Sequence, residues 1–149
     1  MSRCWLLDVN VLLGLMWPVH EANRASQTWV SNHRGEPWAS CPITEMGFLR
    51  IVTNRSFSRN APTWAEATSL LRRHVELNAG HEFWPDSVTL AEVDDLLGDR
   101  IKGPSQITDA YLLALAVRHQ GSFVTFDYRT HTLAPAGSPE HDALVILHP

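Results

Sequence analysis

Short apolar runs that stop at a polar residue alternate along this chain with segments of helical spacing, and this alternation limits the fold more than any other feature. "RCWLLD" (3–8), "PWASC" (37–41) and "SFVTFD" (122–127) read as short buried strands, and "ALVILHP" at the C-terminus as a last one. "HEFWPD" (81–86) is a further strand candidate, ended by Pro85. The intervening segments have helical periodicity. "VNVLLGLMW" is followed by "PVHEANRASQTWVSNHRG" (18–35), which Gly35 closes. "PITEMGFLRIVTN" carries Pro42 in its first turn and apolar Ile43, Met46, Phe48, Leu49 and Val52. "TWAEATSLLRRHVELN" opens with Thr63 as N-cap and Glu66 three residues on, a capping box. "TLAEVDDLLGD" is a short helix with Gly98 as its stop. "SQITDAYLLALAVRHQG" has Ser105 as cap and Gly121 as stop. Strands alternating with helices predict an α/β domain around a mostly parallel sheet.

The chain has 149 residues, 44% of them hydrophobic, enough for one domain over 1–149 with a core that needs no disulfide framework. Cys4 and Cys41 both lie in apolar surroundings and read as buried thiols of a reducing compartment. Asp8 and Asn10 interrupt the apolar N-terminal run, so it does not read as a signal peptide. No stretch approaches the ~18 uninterrupted apolar residues of a membrane helix. A cytoplasmic protein with no membrane association is the expectation.

A net charge of −4 argues against a broadly basic nucleic-acid-binding surface. The charge is unevenly spread, however. Arg50, Arg55, Arg59, Arg72 and Arg73 fall in one stretch opposed only by Glu66, and all basic residues but Lys102 are arginine. The guanidinium fork matches phosphate better than an ammonium does. The acidic stretch from Glu82 to Asp99 reads as a solvated face.

In parallel α/β sheets, functional groups gather beyond the carboxyl ends of the strands and at the helix starts that follow. Asp8 and Asp127 end strands, while Glu45 and Asp109 lie in first turns of helices, so all four acids are placed to face one crevice. Each has an ordinary alternative. Asp8 would N-cap the helix starting at Val9, Glu45 and Asp109 would favour helix dipoles, and Asp127 would start the turn "DYRTH". If the four converge, each like-charge pair about 5 Å apart costs roughly 3 kcal/mol at an effective dielectric near 20. Such a cluster needs protons or a cation. Oxygen ligands without His or Cys favour Mg²⁺ or Mn²⁺ over Zn²⁺, and an ion so held is the usual apparatus of phosphate chemistry.

"LLDVNVLLGL", "CPITEMGFLRIVTN", "QITDAYLLALA" and "FVTFD" together, in this order, resemble the motifs of PIN-domain proteins, most closely the VapC toxins of bacterial toxin–antitoxin pairs. With the helices between them, these motifs cover almost the whole chain. The resemblance implies a metal-dependent endoribonuclease on a three-layer α/β/α sandwich. It makes Asp8, Glu45, Asp109 and Asp127 the catalytic, metal-binding acids, with Asn10 and Thr125 supporting them by hydrogen bonds. Asp8 and Asp109 would hold Mg²⁺, with Mn²⁺ as possible substitute, and Asp127 and Glu45 would complete the shell directly or through water. A water acidified by the ion would attack the RNA phosphodiester, oriented by Glu45 or Asp127. Arg50 and Arg55 would steer the RNA backbone. The resemblance further implies a VapB-like antitoxin covering the crevice, and a homodimer.

Trp17, Trp29 and Trp64 lie on helices that would offer interfaces, but aromatics at helical spacing favour a core reading. His74 and His119, near helix ends, are expected to serve the dipole or solvent. A phospho-acceptor receiver domain also collects aspartates at strand ends, but it needs a lysine at a late strand end, and Lys102 lies in the loop-like "IKGPSQ". A non-catalytic module whose acidic pocket receives a partner's arginines is the alternative to a nuclease; divalent-ion binding and RNA turnover separate the two.

Overall fold

The computed structural model describes residues 3–149. Five short strands, β1 (Trp5–Leu7), β2 (Trp38–Ser40), β3 (His81–Phe83), β4 (Ser122–Thr125) and β5 (Leu144–Ile146), form one sheet in the order β3-β2-β1-β4-β5. Every pairing in it is parallel. The helices are α1 (Val9–Met16), α2 (Asn23–Asn32), α3 (Pro42–Val52), α4 (Trp64–Leu77), α5 (Leu90–Leu97), α6 (Ile107–Arg118) and α7 (Pro139–Asp142).

The period-two alternation of a strand distributes neighbouring residues to opposite faces. Leu6, Ala39 and Phe123 enter one core, shared with Val93 and Leu97 of α5 and the buried run Ala110–Ala116 of α6. Leu7, Trp38 and Val124 enter a second, shared with Val11, Leu12 and Leu13 of α1, Phe48, Leu49 and Val52 of α3, and Ala67 and Leu71 of α4. Helices therefore cover both faces of a parallel sheet, giving the three-layer α/β/α sandwich. Each fully buried leucine or phenylalanine in these layers contributes about 1.5–3 kcal/mol. No helix among the described residues is long and apolar enough to cross a membrane.

Several local expectations need correction. The second helix begins at Asn23, not Pro18. Pro18 restricts the residue before it, and Trp17 adopts an extended backbone (φ −117°, ψ 99°) that ends α1 and starts a turn. Gly14 lets the two helices approach, since a Cβ there would lie 2.9 Å from the Ala22 carbonyl oxygen. Ser105 is not the cap of α6; it sits in a 3-10 turn, Pro104–Gln106, that leads directly into the helix. The left-handed residue after α6 is Gln120 (φ 55°), not Gly121. Gly121 is required for space, because a Cβ there would meet the Cys4 carbonyl oxygen at 2.6 Å. Gly98 is right-handed (φ −56°) and passes α5 into a further 3-10 turn rather than stopping the chain. Gly35 does take positive φ (88°), and the Thr63/Glu66 capping box forms.

Cys4 and Cys41 are buried and unpaired, and burial pushes the Cys4 thiol up to about 12. Trp64, by contrast, is 67% exposed and contributes little to either core, whereas Trp17 and Trp29 pack partly buried against the second core. Both histidines lie at helix ends, His74 in the last turn of α4 and His119, exposed, after α6, and each also packs on a tryptophan. His119 stacks flat on Trp84 at 4.0 Å, His74 packs edge-on to Trp38 at 5.4 Å, and burial lowers the pKa of both. A cleft of about 890 Å³ opens beside α2 and α4, lined by Trp5, Trp29, His33, Trp38 and His74.

Candidate active site

Strand order brings β1 and β4 side by side at the centre of the sheet, and their carboxyl ends carry two of the four acids. The Asp8 amide still donates to the Val124 carbonyl at 2.9 Å, so the carboxylate that follows is fixed by the ladder. Its Oδ1 accepts from the Val9 amide at 2.7 Å, which makes Asp8 the N-cap of α1. The capping reading is thus correct but incomplete, because Oδ2 accepts a 2.7 Å bond from the Thr125 hydroxyl. That hydroxyl in turn accepts from Asn10 Nδ2 at 3.3 Å and from the Asp127 amide at 3.0 Å. Asn10 Oδ1 accepts from the Phe126 amide at 3.2 Å. Asn10 and Thr125 therefore bind the end of β4 to the start of α1, as supporting residues would.

Asp127 caps the 3-10 turn Tyr128–Leu133. Its two oxygens accept from the Arg129 guanidinium, at 3.0 Å from Nε and 2.9 Å from Nη2. That fork holds the Asp127 carboxyl below its ordinary range. Asp109, in the first turn of α6, shows the opposite behaviour. Its carboxyl is pushed up to about 6, first by burial and then by the charges of Asp8 and Asp127, with Arg129 opposing. Asp8 is only 8% exposed; burial raises its pKa against the lowering bonds from Thr125 and Val9. The three aspartates thus share one electrostatic environment with too little positive charge.

Glu45 has its own hydrogen-bond partner. It lies in the first turn of α3, after β2, and its Oε2 accepts a 2.6 Å bond from the Ser40 hydroxyl. Ser40 is completely buried and also lies 2.7 Å from His81 Nε2. Arg50, in the last turn of α3, and Arg55, in the loop beyond it, are both exposed.

The donor chemistry suits a hard divalent cation: oxygen ligands only, with one carboxyl driven towards protonation by burial and by its neighbours. The buried Thr130 hydroxyl faces the Asp109 carboxyl, whose pKa it lowers, and lines a hollow of about 250 Å³ with Asp109, Asp127 and Arg129. In the present side-chain arrangement, no three His, Cys, Asp or Glu groups among the described residues are gathered as a ligand set. Arg129 donates to both oxygens of Asp127, while Val9 and Thr125 donate to those of Asp8.

Four residues of this region were not marked by sequence reasoning: Ser40, His81, Arg129 and Thr130. Ser40 sits at a strand end, the same position that marked Asp8 and Asp127, and a stricter reading of that rule would have found it. His81 opens a weak edge strand and carries no local signal.

The PIN domain family model matches residues 5–134. Ribonuclease VapC39 of Mycobacterium tuberculosis is 43% identical over 137 residues, covering 91% of this chain and 96% of its own length. Ribonuclease VapC44 of the same organism is 39% identical over 137 residues, covering 91% and 95%. The VapBC2 complex from Rickettsia felis, solved bound to a DNA fragment from its promoter, shares the fold at a TM-score of 0.60. That match has 14% identity and covers 89% of this chain and 93% of the solved one. With the sandwich fold, the strand-end aspartates and these relatives in agreement, the chain belongs to the PIN-domain family, in its VapC group.

Proposed function

We propose that the protein is a metal-dependent endoribonuclease acting as the toxin of a VapBC-type pair in the cytoplasm, one domain whose activity a VapB-like antitoxin restrains. The observation that carries this reading is the trio Asp8, Asp109 and Asp127, in which burial and like charges push the Asp109 carboxyl to about 6. Its VapC-named relatives bear the name ribonuclease, and the Rickettsia felis neighbour is a toxin–antitoxin complex, which supports both substrate and partner.

Asp8, Asp109 and Asp127 would hold the cation, Mg²⁺ or in its place Mn²⁺, with Glu45 completing the shell directly or through water. A divalent ion bound there supplies an acidified water and neutralises charge on the phosphoryl oxygens. The chain's own residues do the rest. Thr125 and Asn10 fix the Asp8 carboxylate against rotation. Glu45 or Asp127 orients the attacking water towards phosphorus. Arg50 and Arg55, both exposed, steer the RNA backbone. A homodimer completes the proposed assembly.

The test is cleavage of total cellular RNA by the purified, antitoxin-free chain, with Mg²⁺ or Mn²⁺, with chelator, and beside Asp109→Ala. Discrete fragments that require both the metal and Asp109 are expected. Divalent binding measured by calorimetry without any cleavage would overturn the nuclease in favour of an acidic pocket that only binds. A folded Asp8→Asn variant that remains toxic on expression would overturn the metal-nuclease account.

A further inference from the structure

We propose that His81 is a positioning residue for Glu45, acting through the buried hydroxyl of Ser40 to set the orientation of the carboxylate. The inference rests on the ribonuclease reading of Glu45, but its geometry stands independently. Three elements meet at this point: the end of β2, the first turn of α3 and the start of edge strand β3. Ser40 Oγ lies 2.6 Å from Glu45 Oε2 and 2.7 Å from His81 Nε2, and Ser40 has no solvent exposure.

Counting protons fixes the direction of both bonds. The serine hydroxyl has one hydrogen, and a carboxylate can only accept, so the hydroxyl must donate to Glu45. Nothing is then left for it to donate to the imidazole. His81 must therefore donate from Nε2, which selects one tautomer of the neutral ring. Burial lowers the pKa of His81 and favours that neutral form, with Glu45 and Glu82 opposing. Trp38 holds the ring at 4.6 Å, and Trp38 is itself packed on its other contact by His74. The imidazole is consequently fixed in place and in proton position, and the resulting chain, His81 to Ser40 to Glu45, ties one carboxylate oxygen. Hydrogen-bonded support of an acidic ligand by outer residues is a general device for orienting such groups.

Two measurements test this. The first is the long-range ¹H–¹⁵N spectrum of the histidines in the intact chain. His81 is expected as the Nε2–H tautomer almost exclusively, with a measurably smaller Nε2–H fraction in Ser40→Ala. An Nδ1–H ring in the unsubstituted protein, or a preference unaffected by Ser40→Ala, would overturn the proposal. The second is RNA cleavage by His81→Ala, His81→Gln, Ser40→Ala and the Ser40→Ala/His81→Ala pair, each checked for an unchanged melting profile. His81→Ala is expected to lower kcat about tenfold with KM little changed, the low end for loss of an outer-shell partner. His81→Gln, which keeps an N–H donor, should recover most of that loss, and the double variant should be no slower than Ser40→Ala alone. A Gln variant as slow as Ala, or losses that multiply, would overturn the relay. If the unsubstituted chain cuts no RNA, the ribonuclease reading fails by itself, and the tautomer measurement still decides the positioning role.

Discussion

Thr125 Oγ donates to Asp8 Oδ2 at 2.7 Å across 117 positions of sequence, and it saturates itself by accepting from Asn10 and from the Asp127 amide. This one hydroxyl joins the carboxyl ends of β1 and β4. Thr125→Val keeps the shape and removes every polar contact. The buried carboxylate and two N–H donors then lose their partner, which typically costs about 1–3 kcal/mol. The variant is expected to melt earlier and to lose nuclease activity, while Thr125→Ser retains most of both. Thermal melting beside RNA cleavage checks this; a Val variant with undiminished stability would show that water replaces the hydroxyl.

Asp109 makes stability depend on pH in a stated direction. Its folded carboxyl titrates near 6, raised by burial and by Asp8 and Asp127 from the ordinary 3.8. The folded chain thus holds the proton more tightly than the unfolded chain. The stability linked to that proton is fully present below pH 3.8 and is lost as pH rises through 6. In metal-free buffer Asp109→Asn is expected to be more stable than the parent above pH 6 and to lose that advantage near pH 4. Added Mn²⁺ should reverse the order at neutral pH. Melting curves across pH with and without Mn²⁺ decide it, and an Asn variant without any advantage at high pH would contradict the shared-charge description.

Arg129 holds both oxygens of Asp127 while remaining largely exposed, so its contribution to folding is small. Its cation, however, stands in the neighbourhood where a divalent ion would bind. Arg129→Ala is expected to leave melting nearly unchanged and to tighten Mn²⁺ binding severalfold in calorimetry, since a competing positive charge is removed. Weakened Mn²⁺ binding would instead mean that the guanidinium organises the site.

Charge reversal at Arg50 or Arg55 tests the RNA track. If either neutralises a phosphate, Arg50→Glu or Arg55→Glu weakens binding and lowers the slope of log affinity against log salt by about one. An unchanged slope would return these arginines to an ordinary solvated surface.

The three aspartates were legible in the sequence because their signals are local. A carboxylate at the end of an apolar run, or in the first turn of an apolar helix, is conspicuous wherever the strands finally lie. Glu45 carried the same mark, and it is tied through Ser40 to His81. Periodicity could not name those partners, since helical phase says which face a residue occupies but not which strand end lies beside it. Trp64 was misjudged for a related reason. Its spacing suits a buried stripe, but it lies at the first position of α4, 67% exposed, beyond the reach of the core.

What the sequence alone determined is the run of strands and helices, the two-sided burial of the sheet, and the acids at strand ends and helix starts, all consequences of side-chain period and turn chemistry within a few residues. The tertiary structure decided who meets whom. Setting β1 between β2 and β4 gives Asp8 its Thr125, and pairing β3 with β2 gives Ser40 its His81. Those partners are set by strand order, and strand order is fixed by how the helices pack over both faces, a property of the whole chain that no local stretch contains.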